Sequence, residues 1–114
     1  MSQLNLVVSI VNRGYADDAM AAAKKAGATG GTILTGRGTI KEDMAKFFGI
    51  ALHAEKELLL IVTSQEKKAA IMQAIINQAN DNEDEEHKGL VFSLPVEKAL
   101  GFSKLTVPEE FNKE

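Results

Sequence analysis

The run Glu57-Leu58-Leu59-Leu60-Ile61-Val62-Thr63 constrains this chain most. Its unbroken apolar centre reads as a strand buried on both faces. Such a strand needs partners, and the sequence supplies three candidates. Leu4 to Val11 is rich in β-branched residues and has few polar positions, which predicts a central strand. Gly30 to Thr35 predicts a strand with a glycine-rich entrance, ended by Gly36-Arg37-Gly38-Thr39. Gly89 to Leu94 predicts the last strand.

Two helices fall between these runs. Tyr15 to Ala26 places Ala19, Met20, Ala23 and Ala26 on one face. Asp17 and Asp18 sit in its first turn and Lys24 and Lys25 in its last, which suits the helix dipole, and Gly27 is a natural stop. Thr63-Ser64-Gln65-Glu66 has capping-box spacing and opens a helix to about Ala79, with Met72, Ile75, Ile76 and Ala79 as its buried stripe. Met44 to Phe48 reads as a helical turn inside a long connection. Pro95 to Leu100 reads as a short helical segment opened by Pro95 and stopped by Gly101.

The order is therefore β-α-β-β-α-β, in two halves of similar length. It predicts an α+β ferredoxin-like sandwich: one antiparallel four-stranded sheet with two helices on one face. The chain has 114 residues, the size of one domain, so residues 1–114 are read as a single unit. Helices on one face leave the other uncovered. A sheet face bearing Val, Leu and Ile is a large apolar patch, and self-association would cover it.

Composition narrows the function classes. With 45% hydrophobic and 25% charged residues the chain is an ordinary globular one. The formal net charge is −3, so no global electrostatic case exists for nucleic acid as a partner. There are no cysteines, hence no disulfide, thiolate metal site or thiol nucleophile. No apolar run approaches the roughly 20 residues that span a bilayer, and the first residues do not resemble a signal peptide. The expectation is a cytoplasmic protein.

Gly36-Arg37-Gly38 is the strongest candidate site. Flanking glycines let backbone N–H groups approach an anion while the guanidinium forks onto it. It is not a P-loop, since no Gly-Lys-Ser/Thr follows, and a turn bearing a surface arginine is the plain alternative. Only two arginines occur, Arg13 and Arg37. Gly27, Gly30 and Gly31 offer either close ligand approach or a helix stop and a bulged strand entrance. The acidic run Asp81, Glu83, Asp84, Glu85 and Glu86 lacks calcium-loop spacing and reads as a solvated connection. Phe47 and Phe48 are either partner-binding anchors or local packing. His53 and His87 lack partners at metal-ligand spacing and read as surface histidines. No nucleophile motif or carboxylate pair stands out, so no catalytic or metal residues are assigned and the chain is read as non-enzymatic.

Taken in order, several segments resemble the PII-type signal-transduction proteins and their shorter PII-like relatives. These are Gly27-Ala28-Thr29-Gly30-Gly31-Thr32, Thr35-Gly36-Arg37-Gly38-Thr39, Phe48-Gly49-Ile50, Glu55-Lys56-Glu57-Leu58-Leu59-Leu60-Ile61-Val62 and Gly89-Leu90-Val91-Phe92-Ser93-Leu94-Pro95-Val96. The resemblance covers about Leu4 to Phe102. It implies a homotrimer with sheets facing inward and a nucleotide effector (AMP, ADP or ATP) in clefts between subunits. It also implies a T-loop, here residues 39–56, that docks on a target enzyme or membrane transporter. The effector residues implied are Thr35, Gly36, Arg37, Gly38 and Thr39, with Gly30, Gly31, Lys88 and Gly89; Phe47 and Phe48 would face the partner.

The chain departs from the family pattern in three places. The loop before the last strand is acidic rather than glycine-rich, keeping only Lys88 and Gly89. The arginines usual beyond that strand are missing from the tail, residues 103–114, and only Lys98, Lys104 and Lys113 follow. The 39–56 segment holds no tyrosine or serine to modify. These departures point to a less charged nucleotide such as AMP, or an altered pose. An ACT- or CutA-like module binding an amino acid or metal is the rival reading within the same fold class.

Overall fold

Alternation along the first strand organises the molecule. The structure, a computed structural model, describes residues 3–39, 47, 54–82 and 85–101. β1 spans Leu4–Asn12. Val7, Ser9 and Val11 share one face, and Leu4, Leu6, Val8 and Ile10 the other. The first face carries the core: Val7 packs with Leu59 and Ile61 against Ala19, Met20, Ala23, Ile71 and Ile75.

α1 spans Ala16–Lys25 and buries Ala16, Ala19, Met20 and Ala23, three of them alanines that let it lie close to its neighbours. Its end is a Schellman motif. Gly27, at φ 114°, donates to the Lys24 carbonyl, and Ala28 N–H donates to that of Ala23. The start has no cap from its own N-cap residue, Tyr15. Instead Glu57 Oε1 accepts hydrogen bonds from Gly14 N (2.9 Å) and Ala16 N (3.1 Å). A carboxylate from a distant strand thus answers the positive end of the helix. Glu57→Ala should lower stability by about 1 kcal/mol, read as a lower urea midpoint with an unchanged slope.

β2 spans Thr32–Arg37 and β3 spans Glu55–Ser64. They pair antiparallel from Thr32↔Leu60 to Arg37↔Glu55. The strand expected to end at Thr35 therefore runs on through Gly36 and Arg37, because Glu55 and Lys56 continue the ladder opposite them. The described residues do not cover β3 on both faces. Leu59 and Ile61 are fully buried, whereas Val62 is 41% exposed.

α2 spans Gln65–Asn80 and starts after Ser64, which is extended and makes no side-chain cap. Thr63, expected as the cap, is still in β3, buried and opposite Asn5. The Gln3 carbonyl accepts from Gln65 N–H in its place, at 2.9 Å. The buried stripe is Ile71, Ile75 and Ala79, with Met72 packed at its edge. Ile76 is only half-buried, because the core under the helix is set by Leu59 and Ile61 and selects the Ile71 line.

A 3₁₀ turn, Glu85–His87, precedes β4, Leu90–Val96. The turn packs on α1. Tyr15 Oη donates to Glu86 Oε2 at 2.7 Å, and the Tyr15 and His87 rings meet edge to face at 4.3 Å. His87 Nε2 lies 3.6 Å from Asp18 Oδ2 with its side chain 16% exposed, so His87 is a largely covered histidine, not a surface one. Pro95 opens no helix. It lies in β4 opposite Asn5, and a proline is tolerated there because β4 is an edge strand.

The four strands order as β2-β3-β1-β4, every neighbouring pair antiparallel. This is the ferredoxin-like α+β sandwich. The face away from the helices carries Leu34, Leu58, Leu60, Val62, Leu90, Phe92 and Leu94, of which Leu34, Val62, Leu90, Phe92 and Leu94 are exposed. Among the described residues, no helix is long and apolar enough to cross a membrane.

Candidate functional site

Two chain segments meet at one end of the open face. The first is the β2–β3 end, with Arg37, Gly38, Thr39 and Lys56. The second is Lys88-Gly89, the approach to β4. Between them lies a cavity of about 330 Å³ whose remaining walls are the end of β1 (Ile10, Val11, Asn12), Leu58 and Leu90. That is the lower end of the range for small-molecule sites, roughly 300–1,000 Å³.

Glycines make this geometry possible at two points. A Cβ on Gly89 would overlap the carbonyl oxygen of Ile10 and come within 3.0 Å of Val11 Cγ1. The approach to β4 therefore lies directly on β1, and only glycine fits. At Gly38 a Cβ would stand 3.0 Å from Lys56 Cε, so glycine leaves the lysine stem its place.

Among the described residues, three cations line the cavity, Arg37, Lys56 and Lys88, and no carboxylate does. Lys56 Nζ donates to Asn12 Oδ1 at 2.6 Å, and partial burial pushes its pKa down. The acidic connection does not enter the cavity through Glu86, whose carboxylate is held by Tyr15. The other walls are mainly aliphatic, from Ile10, Leu58 and Leu90. An anionic group beside a flat apolar moiety matches such a lining.

The structure gathers Arg37, Gly38, Thr39, Lys88 and Gly89 of the expected residues. Thr35 and Gly36 border a second cleft at the same strand end, with Arg13, Arg37, Glu55 and Lys56. Arg13 Nη1 and Glu55 Oε2 pair across it at 2.8 Å, both well exposed. Gly30 and Gly31 lie at the far end of β2. A Cβ on Gly31 would stand 3.0 Å from Met20 Sδ and 3.1 Å from Ile61 Cγ1, a packing constraint, while Gly30 has open space. Phe47 is 80% exposed. Phe48, His53, most of the 39–56 connection and the 103–114 tail lie outside the described residues.

Ile10, Val11, Asn12, Lys56, Leu58 and Leu90 complete the lining without having been assigned to the site from sequence. Lys56 had a signal, as a cation opposite the glycine-arginine corner once β2 and β3 are paired. Asn12 follows the Leu4–Val11 run and stands in none of the segments singled out in sequence. Among the described residues, no group of His, Asp or Glu side chains is arranged to hold a metal ion.

A ferredoxin-type sandwich with a bare apolar face and a cationic cavity at one strand end has the build of the PII-like regulatory fold. The chain matches the family model described as "Nitrogen regulatory protein P-II" over residues 4–104, and it belongs to that family. No curated protein sequence matches it. Among solved structures, PII from Arabidopsis thaliana, determined bound to citrate, superposes with TM-score 0.60 at 23% identity, covering 84% of this chain and 77% of that one. A DUF3240 family protein from Shewanella baltica gives 0.66 at 17% identity, covering 90% and 100%. A PII-like signalling protein from Thermus thermophilus gives 0.58 at 19%, covering 83% and 87%. At these identities the likeness is one of fold. Proteins of the PII family are regulatory rather than enzymatic, typically trimeric, and bind small effectors.

Proposed function

We propose that this protein is a trimeric signal-transduction sensor. It takes an adenine nucleotide at the cavity between β1, the β2–β3 end and Lys88-Gly89, and reports occupancy to a target enzyme or transporter through the 39–56 connection. One observation carries this reading: among the described residues, three cations and no carboxylate surround a mainly aliphatic cavity. Phosphate oxygens would meet the Arg37 fork, the Lys56 and Lys88 ammonium groups, and backbone N–H groups at Gly38 and Gly89. The base would lie on Ile10, Leu58 and Leu90. The bare sheet faces of three copies would close on one another and bring each cavity to a seam between subunits. Family membership favours this arrangement over the ACT- or CutA-like one. The missing tail arginines favour AMP or ADP over ATP.

Calorimetry with AMP, ADP and ATP tests the proposal, with citrate as a carboxylate control. The tightest-binding nucleotide should lose about 10- to 100-fold in affinity in Arg37→Ala, the loss of a charge-assisted contact worth about 1.5–3 kcal/mol. A wild type that binds no nucleotide ends the nucleotide reading.

A further inference from the structure

Among the described residues lining the cavity, Asn12 is the one polar side chain that is almost wholly buried, 4% exposed. It stands at the end of β1 and bonds two segments far away in the chain. Its Oδ1 accepts from Lys56 Nζ at 2.6 Å, and its Nδ2 donates to the Glu86 carbonyl at 3.1 Å. Lys56 is the second residue of β3, at the stem of the connection that leads into that strand. Glu86 lies in the turn that delivers Lys88 and Gly89. A single buried amide thus spans both walls of the cavity.

We infer that Asn12 is a coupling residue, joining the stem of the 39–56 connection to the Lys88-Gly89 wall so that the two shift together. The inference rests on the cavity being the effector site. Its chemistry is specific. One bond needs an acceptor for an ammonium and the other a donor to a carbonyl, and a primary amide supplies both. A carboxylate would keep the first and repel the second; an aliphatic side chain would lose both. A lysine ammonium has three donors, so Lys56 can serve a ligand anion while still bonded to Asn12. A bound anion then draws the Lys56 and Lys88 walls inward together, with Asn12 fixing their spacing. Removing either partner leaves a buried polar group unpaired, so disturbance at one wall is felt at the other.

Hydrogen exchange on the full chain tests this without any ligand. Asn12→Asp keeps the Lys56 bond and loses the one to Glu86; Lys56→Met does the reverse. Each is expected to speed exchange at least threefold both at residues 54–58 and at residues 85–90, and the double variant should add little to either single one. Exchange in the Leu4–Val8 part of β1, away from both segments, and in α2 should stay at wild-type rates, which a general loss of structure would not allow. Two results overturn the inference: each variant speeding only its own segment, or exchange rising throughout the chain. Repeating the measurement with the nucleotide that binds best should slow both segments together in the wild type and only one in Asn12→Asp. Should no nucleotide bind, the effector reading fails alone, since the ligand-free exchange still decides the coupling.

Discussion

Replacing Gly89 with alanine is expected to displace the whole approach to β4 and abolish effector binding. The added Cβ would overlap the Ile10 carbonyl oxygen and crowd Val11 Cγ1 at 3.0 Å. Neither atom is the flexible end of a long side chain. Ile10 lies in a strand paired on both sides, to Leu58 of β3 and Leu90 of β4, so β1 cannot yield. The segment must lift, carrying Lys88 out of the cavity and straining the turn held by Tyr15 and His87. Overpacking of this kind costs about 1–3 kcal/mol, which would appear as a matching loss of urea stability, with nucleotide affinity falling below detection. Gly30→Ala is the control. Its Cβ meets nothing within 4 Å, so stability should stay within about 0.5 kcal/mol of wild type. Equal behaviour of the two variants would contradict the placement of the Lys88-Gly89 wall.

The second large effect concerns the open sheet face. Leu94 is 42% exposed on β4 and shares that face with Phe92, Val62 and Leu34. A glutamate at Leu94 faces water in a lone subunit, so the fold should survive with unchanged circular dichroism. Buried between subunits, the same carboxylate loses its hydration without a partner, at several kcal/mol per copy. Leu94→Glu should therefore dissociate the assembly to single chains of 12.3 kDa, read by light scattering. A variant that keeps the wild-type mass would place the subunit contact elsewhere.

The strand and helix order was legible because each element carries its own periodicity. The run Leu58 to Val62 marks a strand wherever it sits, and Ala19, Met20 and Ala23 mark one helix face. The misreadings fall where tertiary partners override local chemistry. Thr63 and Glu66 match a capping box, yet the ladder with β1 holds Thr63 in the sheet and the Gln3 carbonyl answers the helix start instead. Pro95 looks like a helix opener, yet an edge-strand position accepts it. The Leu58–Val62 run signals two buried faces, but the described residues cover only one of them.

The cavity was half legible. Arg37 and Gly38 stand out as a glycine-arginine corner, and the resemblance supplied Lys88 and Gly89. Asn12 gave no signal, because its importance comes from two bonds to residues 44 and 74 positions away. Nor does local sequence show that the Glu86 carboxylate turns to Tyr15 rather than into the cavity, whose described lining is cationic.

Native mass spectrometry of the wild type with AMP, ADP or ATP decides between a nucleotide-holding trimer and its alternatives. The expected species is an assembly of about three times 12.3 kDa that carries nucleotide, up to one per subunit. A chain that flies alone, or three chains that carry none, would contradict it.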